Sequence, residues 1–195
     1  MDTNRPVTYY PNLDSPGTAV VHVPKGGYYL DGVAYDQPNV QTALTEPALM
    51  VDGDHTQYTF DTRDGVSPGF VVDKPDSAVA QEIVSFQMTT AYGVVGSSRY
   101  VWDYASYRVI PSRTSTPGAF KFGLRGQLAR PDGTGGSPGF HASPYLYNLQ
   151  FTAGGRVPAD VTKEVSDRGL AHVVSTYAVA MPGRVGLDIG ERLLG

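Results

Sequence analysis

The sequence predicts an all-β fold of antiparallel β-sandwich units with little helix, and three observations carry that expectation. Apolar residues recur mostly at every second position, the spacing that puts alternate side chains on one face of a strand. The 23 glycines and 15 prolines follow no G-X-Y repeat, so they mark many separate turns. The 13 tyrosines, with abundant valine and threonine, suit a pleated, half-buried surface.

Taken in order, residues 18–23 read as a strand ending at Pro24. Pro24-Lys25-Gly26-Gly27 reads as a turn into a second strand over 28–35, the two forming a hairpin. Gln37-Pro38-Asn39 breaks the second strand. A third covers 44–51, with Pro47 near its start. Asp52-Gly53 is a tight-turn signal, and 55–61 return as a strand with Thr56, Tyr58 and Phe60 on one face. A fifth strand over 66–72 is interrupted by Pro68 and Gly69. Asp73-Lys74-Pro75-Asp76-Ser77 reads as a linker, dividing the chain into a small β unit over 1–76 and a second over 77–195.

In the second unit, 83–90 predict a strand with Val84, Phe86, Met88 and Thr90 toward the core. Residues 99–110 are the most aromatic stretch, with Tyr100, Trp102 and Tyr104 alternating on one side. Residues 120–128 place Phe120, Phe122 and Leu124 on one face, and 130–139 form a Gly/Pro/Ser loop. Residues 145–151 align Tyr145, Tyr147, Leu149 and Phe151, and 170–181 read as the last strand. Helical signals are thin: a turn or two over 159–167, and another over 188–194, where the sequence reads as cut short.

Composition excludes several function classes. The net charge is −4 and no basic stripe is visible, so a nucleic-acid partner is not expected. There is no cysteine, which removes disulfides, thiolate metal sites and a thiol nucleophile. No run approaches the roughly 20 apolar residues that a membrane helix needs. Met1-Asp2-Thr3-Asn4-Arg5-Pro6 lacks the apolar core of a signal peptide.

Motifs that encode a catalytic geometry are missing: there is no G-x-S-x-G elbow, H-E-x-x-H zinc pair, phosphate loop or G-x-G-x-x-G fingerprint. His22, His55, His141 and His172 lie far apart in sequence, unlike zinc ligands, which come in close pairs. Asp52-Gly53-Asp54, with Asp61 and Asp64, offers acidic oxygens, but a β-turn explains the same residues and the EF-hand spacing fails. Ser97, Ser98, Asp103 and His141 supply the residue types of a hydrolytic triad without a constrained nucleophile. No metal and no cofactor is expected. The Tyr100/Trp102/Tyr104 stripe carries two readings. Alternating aromatics on a strand are usually core; exposed, they form a platform for ligand contact, and the exposure of Trp102 decides between them.

Val21-His22-Val23-Pro24-Lys25-Gly26-Gly27-Tyr28-Tyr29-Leu30 resembles a hairpin of small transthyretin-like or carboxypeptidase-regulatory-like sandwiches. Three further runs occur in a telling order. They are Pro47-Ala48-Leu49-Met50-Val51-Asp52-Gly53-Asp54 with Thr59-Phe60-Asp61-Thr62-Arg63, then Pro144-Tyr145-Leu146-Tyr147-Asn148-Leu149, then Gly155-Arg156-Val157-Pro158-Ala159-Asp160 with Asp167-Arg168-Gly169-Leu170-Ala171. Together they resemble the non-catalytic region C-terminal to the peptidase domain of large secreted bacterial subtilisin-like serine peptidases. The resemblance covers roughly residues 18–183. It implies an immunoglobulin- or transthyretin-like sandwich architecture, an extracellular setting, and a parent chain or peptidase domain as partner. The D-[ST]-G, H-G-T-H and G-T-S-M-A motifs of such peptidases are absent, so no catalytic residue carries over. The expected role is therefore non-catalytic: positioning or stabilising a peptidase, or contacting a protein or polysaccharide substrate or a surface. The alternatives are a carbohydrate- or cell-wall-binding module and a structural or appendage subunit.

Overall fold

The computed structural model describes residues 1–15, 17–37, 39–133, 139–140 and 143–174. The described residues are 53% strand and 6% helix, with no helix of seven residues or more, so the fold is all-β. Among the described residues eleven strands occur in this order: β1 (Asn12–Ser15), β2 (Thr18–Val20), β3 (Gly26–Gln37), β4 (Val40–Val51), β5 (Gly69–Val72), β6 (Ala78–Thr90), β7 (Gly93–Val101), β8 (Tyr107–Val109), β9 (Thr116–Ala129), β10 (Leu146–Gly155) and β11 (Thr162–Val165). Single 3-10 turns cover Thr62–Asp64, Tyr104–Ser106 and Asp167–Gly169.

The largest sheet is antiparallel throughout, in the order β10-β9-β6-β7. Its inner face is the core-directed half of a period-two pattern. Val84, Phe86 and Met88 from β6 meet Phe120, Phe122 and Leu124 from β9, all at most 2% exposed. Phe86 and Phe122 lie 5.7 Å apart between ring centroids. Burial of each such side chain contributes about 1.5–3 kcal/mol. Tyr147 and Leu149 of β10 complete this face, with Phe151 partly buried beside them. These are the faces that the alternation predicts.

A three-stranded sheet, β3-β4-β8, supplies the other side of the core through Tyr29, Ala43, Tyr107 and Val109. Tyr29 approaches Phe120 at 6.2 Å between centroids. Two pairings depart from antiparallel geometry: β4 runs parallel to β8, and β5 parallel to β11. Both cross the turn at 73–77, and Tyr29, Ala43 and Phe70 belong to the same hydrophobic cluster as the later strands.

Several local expectations are corrected. β2 does not pair with the following strand; it pairs with β1. β3 and β4 are twelve residues each and align over most of their length around a tight turn, where Asn39 takes φ 81°. A three-residue β2, exposed throughout, offers no comparable ladder. Residues 55–61 form no strand, because side-chain contacts replace ladder bonds there. Arg113 donates to the Thr59 carbonyl at 2.8 Å, and its guanidinium lies 5.1 Å over the Tyr58 ring. The strand expected over 66–72 is shorter, β5 alone, preceded by an isolated bridge from Val66 to Val109. The turn of helix expected over 159–167 is instead strand β11, where β-branched Val161, Thr162 and Val165 favour extension. Residues 170–174 are irregular and exposed; the rest of the expected strand over 170–181, and the helix over 188–194, lie outside the described residues.

Candidate functional site

The four-stranded sheet turns its second face outward. Alternation fixes which side chains stand there: register pairs Tyr100 with Ile83, Ile83 with Arg125, and Arg125 with Gln150. The next row is Ser98, Ser85, Gly123 and Thr152, and the one after it Gly96, Gln87, Lys121 and Gly154. On the other side of the Tyr100 row, Gln81 pairs with Gln127 and Gln127 with Asn148, whose carbonyl accepts the Gln127 amide at 2.9 Å. Four strands at about 4.8 Å spacing make a surface some 14 Å wide. It is largely polar, with a low floor of serine and glycine in the middle. A shallow depression of about 250 Å³ opens between β6 and β7, bordered by Ser85, Gln87, Val94, Gly96 and Ser98.

At the β7 edge of this face stand two large aromatic side chains. Tyr100 is 59% and Trp102 65% exposed. Their rings lie 14° from parallel with centroids 6.3 Å apart, the i, i+2 geometry of neighbours on one strand face. Exposed aromatics of this size, aligned with each other, are where soluble proteins make contacts. The exposure of both rings thus places this pair on the surface and not in the core.

Tyr104 does not share their face. After Trp102 the chain enters a 3-10 turn, capped by the Asp103 carboxylate accepting from the Ala105 amide at 3.0 Å. That turn re-aims Tyr104 onto Gly69, where a Cβ would meet its ring at 2.9 Å. The Tyr104 hydroxyl accepts from the Phe70 amide at 3.3 Å, and burial pushes its pKa well above the usual tyrosine value. Tyr104 borders a second cavity of about 280 Å³ with Phe70, Val72, Lys74, Ala78 and Leu128. The polar groups at its mouth are already engaged. Lys74 reaches Asp167 at 3.4 Å, and the Ser77 hydroxyl shares a hydrogen bond of 3.1 Å with Tyr145. The aromatic face, not this cavity, is the candidate site.

No protein family, curated protein or solved structure matches the chain.

The remaining sequence candidates are scattered. His22, His55 and His172 are exposed on irregular segments, and His141 lies outside the described residues. Asp54 pairs with Lys25 at 3.3 Å, whereas Asp61 faces Arg63, whose side chain holds the Asp61 pKa down at about 2. The described acids and histidines form no metal-holding group of three or more. Ser97 and Ser98 sit on β7, and Asp103 is occupied by its own turn. Among the described residues no helix is long and apolar enough to cross a membrane.

Sequence reasoning missed the polar half of the face: Gln81, Lys121, Arg125, Gln127 and Asn148. The signal was available, since these residues occupy the positions alternate to the recognised core residues of the same strands. It also missed Glu82, which sits on β6 in step with Val84 and is fully buried. Neither of its carboxylate oxygens has a hydrogen-bond partner, and burial pushes its pKa up to about 8. The neighbouring Tyr104 hydroxyl offsets part of that rise, though it stands outside hydrogen-bond geometry.

Proposed function

We propose that this chain is a non-catalytic accessory β module that binds a polysaccharide along the outward face of the four-stranded sheet. The observation that carries the reading is the exposed, near-parallel Tyr100–Trp102 pair. Aromatic faces of this kind suit the flat apolar side of a sugar ring, while Gln and Asn side chains both donate to and accept from hydroxyl groups. Gln81, Gln127 and Asn148 supply such groups on the rows next to the platform. The face is rigid because it is the back of the hydrophobic core, so little ordering cost attends binding. Within a larger secreted protein of the kind the sequence resembles, such a module anchors its parent chain on a glycan surface.

Trp102 is the only tryptophan, so its emission reports the site directly. In the free protein, acrylamide should quench it readily. Titration with soluble polysaccharides should shift the emission to the blue and protect it from quenching. Trp102→Ala should weaken retention on the bound polymer by at least about tenfold, the scale of an interface hot spot. An emission that no polysaccharide alters would overturn the proposal.

A further inference from the structure

An edge strand leaves alternate backbone N–H and C=O groups without a ladder partner, so a bare edge is a template for a further strand. Two of the long edges here are guarded. β3 carries Asp31, breaks register between Tyr28 and Leu30 and again between Tyr35 and Gln37, and is bridged by Asp2 at Tyr28. β10 breaks register between Gly154 and Gly155, and the Lys163 ammonium lies 4.3 Å over its Phe151 ring. β7 has neither device. Its nine residues follow β6 without a shift and include no proline and one charge, Arg99.

The phase of this edge is defined. A Cβ on Gly96 would run into the Phe86 carbonyl oxygen, so that carbonyl is directed at β7, and Phe86 and Ser97 form a hydrogen-bonded pair of the ladder. By alternation, Val94, Gly96, Ser98 and Tyr100 turn their backbone groups away from β6. The Ser98 carbonyl fits this phase, since it accepts from the Arg99 guanidinium of its own strand at 2.9 Å. Among the described residues no other strand pairs with β7.

The residues along the edge fit a second copy of themselves. Laid antiparallel about Ser97, β7 sets Gly96 of one copy opposite Ser98 of the other, and Val94 opposite Tyr100. Small residues meet at the centre, and a β-branched residue meets an aromatic ring toward each end, a favourable cross-strand pair. Val94 is 65% and Tyr100 59% exposed in the single chain, so both gain cover. Arg99 falls opposite Val95, which leaves the two Arg99 positions roughly 13 Å apart, beyond the screening length at physiological salt. We propose that β7 pairs with β7 of a second copy of this chain, joining two four-stranded sheets into one of eight strands. The pairing does not depend on the polysaccharide reading, and it keeps Tyr100 and Trp102 on the outward face of the joined sheet.

Analytical ultracentrifugation of the full chain tests it. The mass should rise from one copy toward two between about 1 μM and about 1 mM, as for a small, exchanging interface. Ser98→Pro removes an outward N–H that takes no part in the β6 ladder, and should raise the dissociation constant by at least about tenfold. Val94→Lys, at an exposed side chain, should do the same and guards against a folding defect in the proline variant. The chain has no cysteine, so Ser97→Cys places one thiol on the two-fold axis. Facing Cα atoms of a non-hydrogen-bonded pair stand about 4.5 Å apart, within reach of a disulfide, so this variant should cross-link on oxidation while Val94→Cys should not. A chain that stays monomeric throughout would overturn the proposal. So would a dimer that neither Ser98→Pro nor Val94→Lys weakens, which places the contact elsewhere. Slow hydrogen exchange of the Gly96 and Ser98 amides in the monomer would overturn it as well, by showing that the edge is covered within the chain.

Discussion

The Glu46 carboxylate accepts the Thr114 hydroxyl at 2.7 Å, joining residues 68 apart in sequence. It also accepts the backbone amides of Arg113 at 2.9 Å and Thr114 at 3.0 Å. Glu46 is 1% exposed, so these three donors are what a buried carboxylate requires in place of water. The contact fixes the segment between β8 and β9, next to Ser112, whose hydroxyl donates to the Thr45 carbonyl at 2.8 Å and accepts the Val157 amide at 3.1 Å. Glu46→Gln presents an amide group where an acceptor is needed and should destabilise the fold by about 2 kcal/mol; Thr114→Val, which removes one donor, should cost about 1 kcal/mol. Urea unfolding followed by tryptophan emission gives both values. Equal stability of the Glu46→Gln protein would show that the amides find water instead.

Gly126 marks the place where β5 docks on the large sheet. A Cβ there would stand 2.6 Å from the ring of Phe70, which is itself buried. Phe70 must shift to admit the methyl, so Gly126→Ala should destabilise by about 1–3 kcal/mol through overpacking. Gly154, on the outward face of β10, has nothing within 4 Å of its notional Cβ. Gly154→Ala should therefore stay within about 0.5 kcal/mol of the parent. A thermal scan of the two variants side by side separates lost chain flexibility, common to both, from the clash that only Gly126 meets.

The parts of the fold that period-two patterning specifies were legible: the Val84/Phe86/Met88 and Phe120/Phe122/Leu124 faces follow from alternation alone. The parallel partners were not. β4 meets β8 and β5 meets β11 across dozens of residues, and nothing local in Tyr107–Val109 or Thr162–Val165 encodes which edge each will join. Tyr104 was misplaced because strand alternation was continued through Asp103, whose carboxylate caps a turn and changes the period. The two buried glutamates were illegible for a different reason. A charged residue in a strand is read as outward by default, and only the parity of Glu82 with Val84 argued otherwise.

That buried Glu82 makes the stability of the fold depend on pH in a definite direction. In the unfolded chain a glutamate ionises near 4.5; in the folded protein burial moves Glu82 up to about 8. Below about pH 4.5 both states keep the proton, and the full contribution is present. Between the two values the unfolded chain gives up its proton while the folded one retains it. Each pH unit in that window then lowers stability by up to about 1.4 kcal/mol, a few kcal/mol in all. Asp61 and Asp73 act in the opposite sense, because Arg63 holds the first down and the Asp167 amide and Ser166 hydroxyl hold the second down. Their contribution is complete above their ordinary value near 3.8 and is lost only in stronger acid, so it does not mask the trend at higher pH. The urea midpoint should accordingly fall between pH 5 and pH 8. Glu82→Gln keeps the shape of the neutral acid and cannot ionise. It should match the parent at pH 5, exceed it at pH 8, and flatten the profile between. A parent profile already flat over that range would mean that Glu82 ionises in the folded state with a partner or water at its side.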